Sequence, residues 1–282
     1  MLTEVEAGDY NIRGVSLGGI YTSLHVPQLH SLFDVGMALR TTAGVRHLFL
    51  SHAHADHSGA IISLLGLRGL LGNPPPLKLY LPSEVAAPLS ELIANWSKLQ
   101  RYPFPLNVTP MEPGDEVPIG GNLIARAFRT YHPVPSLGYE FVRKVTKLKD
   151  EFRSLEGKEI ERRKRAGEDI FYEQTRSEFA YATDTLISVL DHEPQLYETE
   201  VLVMECTFLD EKKTLKDARA GCHIHLDEIL ERADKFKNKH LVLMHFSQLY
   251  QPSDVLEILD ARCPESLRKK IVPFAPKSYW PG

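Results

Sequence analysis

With 282 residues, 43% of them hydrophobic and 25% charged, the chain can bury a sizeable core, which excludes a disordered or fibrous protein and fits a globular enzyme. A formal net charge of -4 excludes indiscriminate nucleic-acid binding by the whole surface, so any polyanion needs a local basic patch. Three widely spaced cysteines, Cys206, Cys222 and Cys263, argue against a disulfide framework, and the chain encodes neither a leader pattern nor a membrane-length apolar run. A cytoplasmic protein with no membrane association is expected.

In chain order, short apolar segments bounded by turn residues predict strands at 12–24, 31–36 and 46–50, broken at Gly18-Gly19, at Pro27 and at the turn 41–44. A helix is predicted from Ala60 to about Leu71, stopped by Gly72, Asn73 and the prolines 74–76. A strand at 77–81 precedes a helix reaching about Leu99, which Ser83 can cap and whose early turns Pro88 would strain. Further strands are predicted at 123–128, 179–182, 201–204 and 241–244, with helices at about 226–236 and 253–261. Strands that present polar residues at their ends, with helices between them, describe an α/β layered sandwich. Neither a short repeat nor a low-complexity linker interrupts it, so one domain over 1–282 is the economical reading.

Residues 51–58 read Ser-His-Ala-His-Ala-Asp-His-Ser directly after the apolar run Leu48-Phe49-Leu50. On an extended segment, side chains at i and i+2 share a side, so His52 and His54 can hold one ion. Asp56 and His57, on the turn into the following helix, can reach a second ion a few ångströms away. Packing asks for no such cluster, and imidazole with carboxylate is the donor set that zinc and manganese accept. Further candidate ligands follow at strand ends: His132, Asp184 and His245. A two-metal site needs about eight donor positions, and these residues supply them if one carboxylate is shared.

The order His-x-His-x-Asp-His, His, Asp, His resembles the metallo-β-lactamase superfamily. Within it, the short form of the tRNase Z (ribonuclease Z) family is the nearer likeness. Ser16-Leu17-Gly18-Gly19 leading to Phe33-Asp34-Val35-Gly36 resembles that family's first motif, and Met204-Glu205-Cys206-Thr207 its His-Glu-Ala-Thr motif. His223-Ile224-His225 resembles its His-Ser-Thr motif, and His245-Phe246-Ser247 its final metal motif.

The resemblance implies a four-layer αβ/βα metallo-β-lactamase sandwich and two Zn2+ ions, with Mn2+ as the alternative. One ion would take His52, His54 and His132, the other Asp56, His57 and His245, with Asp184 bridging and Asp34 supporting the site without ligating it. The implied activity is that of a zinc-dependent endoribonuclease, a homodimer that cleaves the 3′ trailer from precursor tRNA by attack of a metal-activated hydroxide. Asp56 would orient that nucleophile, and Glu205 with His223 would protonate the leaving 3′ oxygen. Aligned without gaps, His223 takes the motif histidine's place, and His225 the threonine's beside a helix start.

Two positions depart from the pattern. Thr183 stands where the family commonly has glycine, which predicts a slightly displaced bridging ligand because Thr does not take positive φ as cheaply as Gly. Leu249 stands in place of an Arg suited to gripping phosphate. Residues 143–167 carry ten Lys or Arg against five Asp or Glu on a chain that is otherwise acidic. They predict a basic, arm-like insertion at about 143–175 in which Arg162, Arg163, Lys164 and Arg165 bind substrate. Two other readings stay open: a hydrolase of small phosphodiesters or lactones, favoured by Leu249 and Thr183, and a catalytically silent RNA-binding protein.

Overall fold

A computed structural model of the chain describes residues 2–72 and 75–280. Of the helix stop expected at 72–76, Asn73 and Pro74 lie outside the described residues. Two seven-stranded sheets are formed, each in chain order from one edge to the other. The first contains β1 (Thr3–Ala7), β2 (Tyr10–Leu17), β3 (Tyr21–Val26), β4 (Ser31–Phe33), β5 (His47–Phe49), β6 (Leu77–Pro82) and β7 (Leu106–Met111). The second contains β8 (Glu116–Gly120), β9 (Leu123–Arg129), β10 (Leu137–Leu148), β11 (Phe171–Ala182), β12 (Val201–Glu205), β13 (His240–Met244) and β14 (Ile271–Pro273). Each sheet begins as an antiparallel meander and becomes parallel, from β4 onward in the first and from β11 in the second.

Alternation along the strands explains how the layers adhere. Phe33 of β4 packs against Phe49 in its own sheet and against Phe141, Phe179 and Tyr181 of the other, with ring centroids 4.9–5.6 Å apart. Truncating one such fully buried Phe typically removes about 3–5 kcal/mol. The opposite faces take helices. Helix Ile61–Leu70 buries Ile61, Leu64, Leu65 and Arg68, the i, i+3, i+4, i+7 stripe of an amphipathic helix, against Leu48, Leu50 and Leu79. Arg68 is tolerated there because its guanidinium donates to the carbonyls of Ala43 and Val45 at 2.7 and 2.6 Å. Helices thus cover both outer faces, giving the four layers of an αβ/βα metallo-β-lactamase sandwich.

Several expected details differ. Helix Ser83–Gln100 starts at Ser83 itself, and the Ser83 hydroxyl bonds Glu112 rather than capping; Pro88 lies inside the helix, in its second turn. The helix expected at 226–236 ends at Leu230 and is followed by a separate turn at Ala233–Lys235. Strands β1, β7, β8, β10 and β14 carry no clear apolar run and are set by pairing with neighbours. In β10 the buried half ends at Val142, and the charged half that follows pairs with β11 as an exposed two-stranded ribbon. Helix Gly157–Arg165 lies between the two ribbon strands in sequence. From Leu137 to Leu148 an extended strand spans roughly 35 Å, so the ribbon carries the basic segment to the end of the sheets away from His132 and Asp184.

Candidate metal centre

Parallel strands present their C-terminal ends along one edge, and both sheets bring that edge to the same cleft, where loops following strands supply side chains. Asp34 follows β4, His52 and His54 follow β5, Asp184 follows β11 and His245 follows β13. Three of these residues have left-handed backbones: Asp34 (φ 57), Asp184 (φ 47) and His245 (φ 60). Such a conformation costs about 1 kcal/mol or more in a non-glycine residue. Here it turns the chain sharply where the strand stops. Thr183 does not carry the positive φ expected of its position; the strain falls on Asp184 instead, and the Thr183 hydroxyl donates to Asp184 Oδ1 at 2.8 Å.

The donor atoms fall into two sets. His54 Nδ1 lies 3.1 Å from both His52 Nε2 and His132 Nε2, while Asp184 Oδ2 is 3.7 and 3.8 Å from those two imidazoles. On the other side His57 Nε2 and His245 Nε2 are 3.3 Å apart, with Asp56 Oδ2 at 3.5 and 3.9 Å. Asp184 Oδ1 faces this second pair at 3.4 and 3.3 Å. One carboxylate therefore offers one oxygen to each set.

The surrounding hydrogen bonds select the ligand tautomer. Ser51 donates to Asp34, leaving its oxygen to accept Nδ1–H of His52 at 2.9 Å. Asp34 Oδ2 accepts Nδ1–H of His57 at 2.8 Å and the Tyr181 hydroxyl at 2.6 Å. Thr207 donates to Glu205 and accepts Nδ1–H of His245 at 3.0 Å. In each ring this leaves the Nε2 lone pair turned to the cluster, the form in which imidazole binds a cation. Lone pairs at 3.1–3.3 Å repel unless a positive charge lies between them, so the donor set fits divalent ions. For His52 the charge state agrees: burial, with charged neighbours, brings it down to about 2, keeping it neutral. His57 differs: against burial, the charges of Asp184, Asp34 and Asp56 bring it up to about 9, so a cation must displace its Nε2 proton. For Asp56 burial acts the other way, yet the His245 hydrogen bond and the charges of His57 and His245 hold it down at about 2.

Beside this cluster Glu205, fully buried, accepts Thr185 N–H at 2.6 Å and Ile224 N–H at 3.1 Å, and both its oxygens lie 3.2 Å from Nδ1 of His223. Burial disfavours a charged His223, but the Glu205 carboxylate outweighs it and brings the ring up to about 9. His225 is occupied elsewhere: its Nδ1 accepts Asp227 N–H at 3.1 Å and caps helix Leu226–Leu230, while Glu228 completes the capping box.

Arg162, Arg163, Lys164 and Arg165 are not brought to this cluster. Arg162 and Arg163 pair with Glu159 at 2.7 and 2.9 Å and Arg165 with Glu161 at 2.5 Å, while the Lys164 ammonium stands 5.8 Å from the Phe171 ring centroid. Sequence reasoning gave no role to Ser51, Tyr181 or Thr207. Hydroxyls flanking ligand motifs are their only signal, and their partners are up to 147 positions away.

The model of the beta-lactamase superfamily domain matches residues 22–246. The chain is 33% identical to tRNase Z TRZ1 of Arabidopsis thaliana, covering 90% of this chain and 91% of that protein. It is 30% identical to chloroplastic tRNase Z TRZ2 of the same plant, over 96% and 76%. Among solved structures, Zn(2+)-bound PqqB from Methylobacterium extorquens superposes with a TM-score of 0.59 at 11% identity, covering 90% of this chain and 85% of that one. Human short-form tRNase Z (ELAC1) gives 0.54 at 19%, covering 83% and 92%; at these identities the likeness concerns the fold. A superfamily domain matched over residues 22–246, joined to relatives that align along nearly the whole chain, places the protein in the tRNase Z family of the metallo-β-lactamase superfamily.

Proposed function

We propose that the chain is a binuclear, zinc-dependent endoribonuclease that removes the 3′ trailer from precursor tRNA, residues 1–282 acting as one hydrolase domain with an arm at about 143–175. The observation that carries this reading is the proximity of two functions: a carboxylate shared between two donor sets, Asp184, and a carboxylate-held imidazole beside them, the Glu205–His223 pair. His52, His54 and His132 would hold one ion and Asp56, His57 and His245 the other. When bound, the ions make a water acidic enough to attack phosphorus near neutral pH and offset charge on the non-bridging oxygens.

The chain's own residues supply the proton traffic. Asp56, whose side chain is 15% exposed at the cleft, accepts a proton from the attacking water and aims its lone pair. As the new P–O bond forms and the bond to the 3′ oxygen breaks, His223 gives that oxygen its Nε2 proton. Glu205 grips Nδ1 and keeps the ring charged at neutral pH. The products are an RNA with a 3′-hydroxyl and a trailer with a 5′-phosphate.

Leu249, half exposed at the position of the family's Arg, favours a second reading, a hydrolase of small phosphodiesters. Incubating the zinc-loaded protein with precursor tRNA and, in parallel, with bis(p-nitrophenyl) phosphate separates the two. The proposal expects endonucleolytic cuts at the 3′ end of the tRNA; turnover of the small diester alone would replace it with the second reading.

A further inference from the structure

We propose that the cleft beyond His132 is a distinct nucleotide site, shaped for the first nucleotide of the trailer; the inference rests on the ribonuclease reading above. Strand order sets a row along the edge of the second sheet: His245 after β13, Glu205 at the end of β12, Asp184 after β11, and His132 between β9 and β10. His223, held by Glu205, stands over the middle of the row, its ring centroid 5.4 Å from that of His245 and 5.7 Å from that of His132. At the end past His132, a cleft of about 450 Å³ opens between the β9–β10 connection and the ends of β6 and β7. That volume falls within the roughly 300–1,000 Å³ of small-molecule sites.

A phosphodiester crossing the donor sets with its 3′ oxygen at His223 leaves the nucleotide on its 5′ oxygen to depart on another side. His132 lines the open cleft and His223 does not, so the nearest open space on a side other than His223's begins at His132. The walls suit a nucleotide rather than a bare phosphate. Pro82, Pro113, Pro133 and Pro135 line the cleft, and their fixed φ makes it rigid before any ligand arrives. Together with Val134 they offer an apolar surface to the face of a base. Glu84 and Glu112 offer acceptors to the amino or imino N–H groups on a base edge. Exposed Arg129 lies over the Tyr131 ring at 5.6 Å and has no carboxylate partner among the described residues, leaving its guanidinium for a phosphate.

The test uses two precursor tRNAs that differ only at the first trailer position, one carrying a normal nucleotide and the other an abasic ribose. Val134→Trp fills the cleft, and Arg129→Ala removes the cation from an exposed position that does not threaten folding. On the normal precursor, kcat/KM is expected to fall at least about tenfold in the first variant and several-fold in the second. The abasic precursor, cut slowly by the unaltered protein, loses little more with Val134→Trp. Uridine 3′,5′-bisphosphate, which copies the 5′ end of the released trailer, should inhibit the unaltered protein and inhibit both variants at least several-fold more weakly. Equal losses on the two precursors, or undiminished cleavage and inhibition in both variants, would overturn the site. Failure of the unaltered protein to cut either precursor would remove the ribonuclease reading and this inference with it, whereas cleavage indifferent to the first base removes the inference alone.

Discussion

Asp34 Oδ2 lies 2.8 Å from Nδ1 of His57, both side chains fully buried, so a carboxylate that belongs to neither donor set decides which nitrogen of His57 faces the cluster. Burial opposes a charged His57, but the charges of Asp184, Asp34 and Asp56 bring it up to about 9 in the metal-free protein. A cation and the Nε2 proton compete for the same lone pair. Zinc or manganese affinity should therefore rise with pH, by up to about tenfold per unit, and level off near pH 9. Asp34→Asn should lower that plateau pH and weaken affinity by about 10–100-fold. Calorimetric titrations across the range measure both, and an unchanged profile would contradict the role given to Asp34.

Asp184→Ala removes the side chain that offers one oxygen to each donor set. It should reduce bound metal further than His132→Ala, which opens only one set. Elemental analysis after dialysis against a weak chelator gives the comparison, and a smaller loss in Asp184→Ala would exclude a shared ligand.

His223→Ala should lower turnover of precursor tRNA by about 10²–10⁴-fold with metal content intact, the usual worth of a general acid. A diester with an activated leaving group needs no proton and should lose far less. Equal losses on both substrates would assign His223 to positioning instead. His225→Ala should act through stability, lowering the thermal midpoint by removing a helix cap worth about 1 kcal/mol.

Gly36→Ala should damage the metal centre without touching a ligand. A Cβ at Gly36 would stand 1.8 Å from the carbonyl oxygen of Asp56 and 2.8 Å from the amide of Thr22, two backbone atoms with little freedom to retreat. Reduced metal retention, together with a lower unfolding midpoint, is the expected result; normal retention would show that the turn at 54–58 moves more easily than its packing suggests.

Neutralising Arg162, Arg163, Lys164 and Arg165 together tests the arm. For every phosphate that the variant no longer neutralises, the log-log salt dependence of tRNA binding should flatten by about 0.7–0.9. Because three of the four cations already pair with glutamates of the same helix, a flattening of about one such step is more in keeping with the structure than one of about four. No change in slope would make this helix an ordinary solvated face.

The clustering of His52–His57 was legible because donor spacing along one extended segment is a local property, and His132, Asp184 and His245 stood out as polar residues ending apolar strands. The strands at 123–128 and 201–204 were legible for the same reason: an apolar run records burial directly. Nothing local marks β10, whose exposed half is charged and becomes a strand only by pairing with β11, nor β1 and β8 at the sheet edges. The choice between His223 and His225 needed the fold, since both are imidazoles ahead of the same helix and the position of Glu205 separates the ring held by a carboxylate from the ring that caps the helix. So did the displacement of the basic segment from the donor sets, because the direction in which β10 leaves the cleft is a property of sheet register rather than of residues 143–167. Asp184 is the plainest case. Its type and place at a strand end are written in the chain, but the presentation of one oxygen to each donor set arises only where loops distant in sequence meet across two packed sheets.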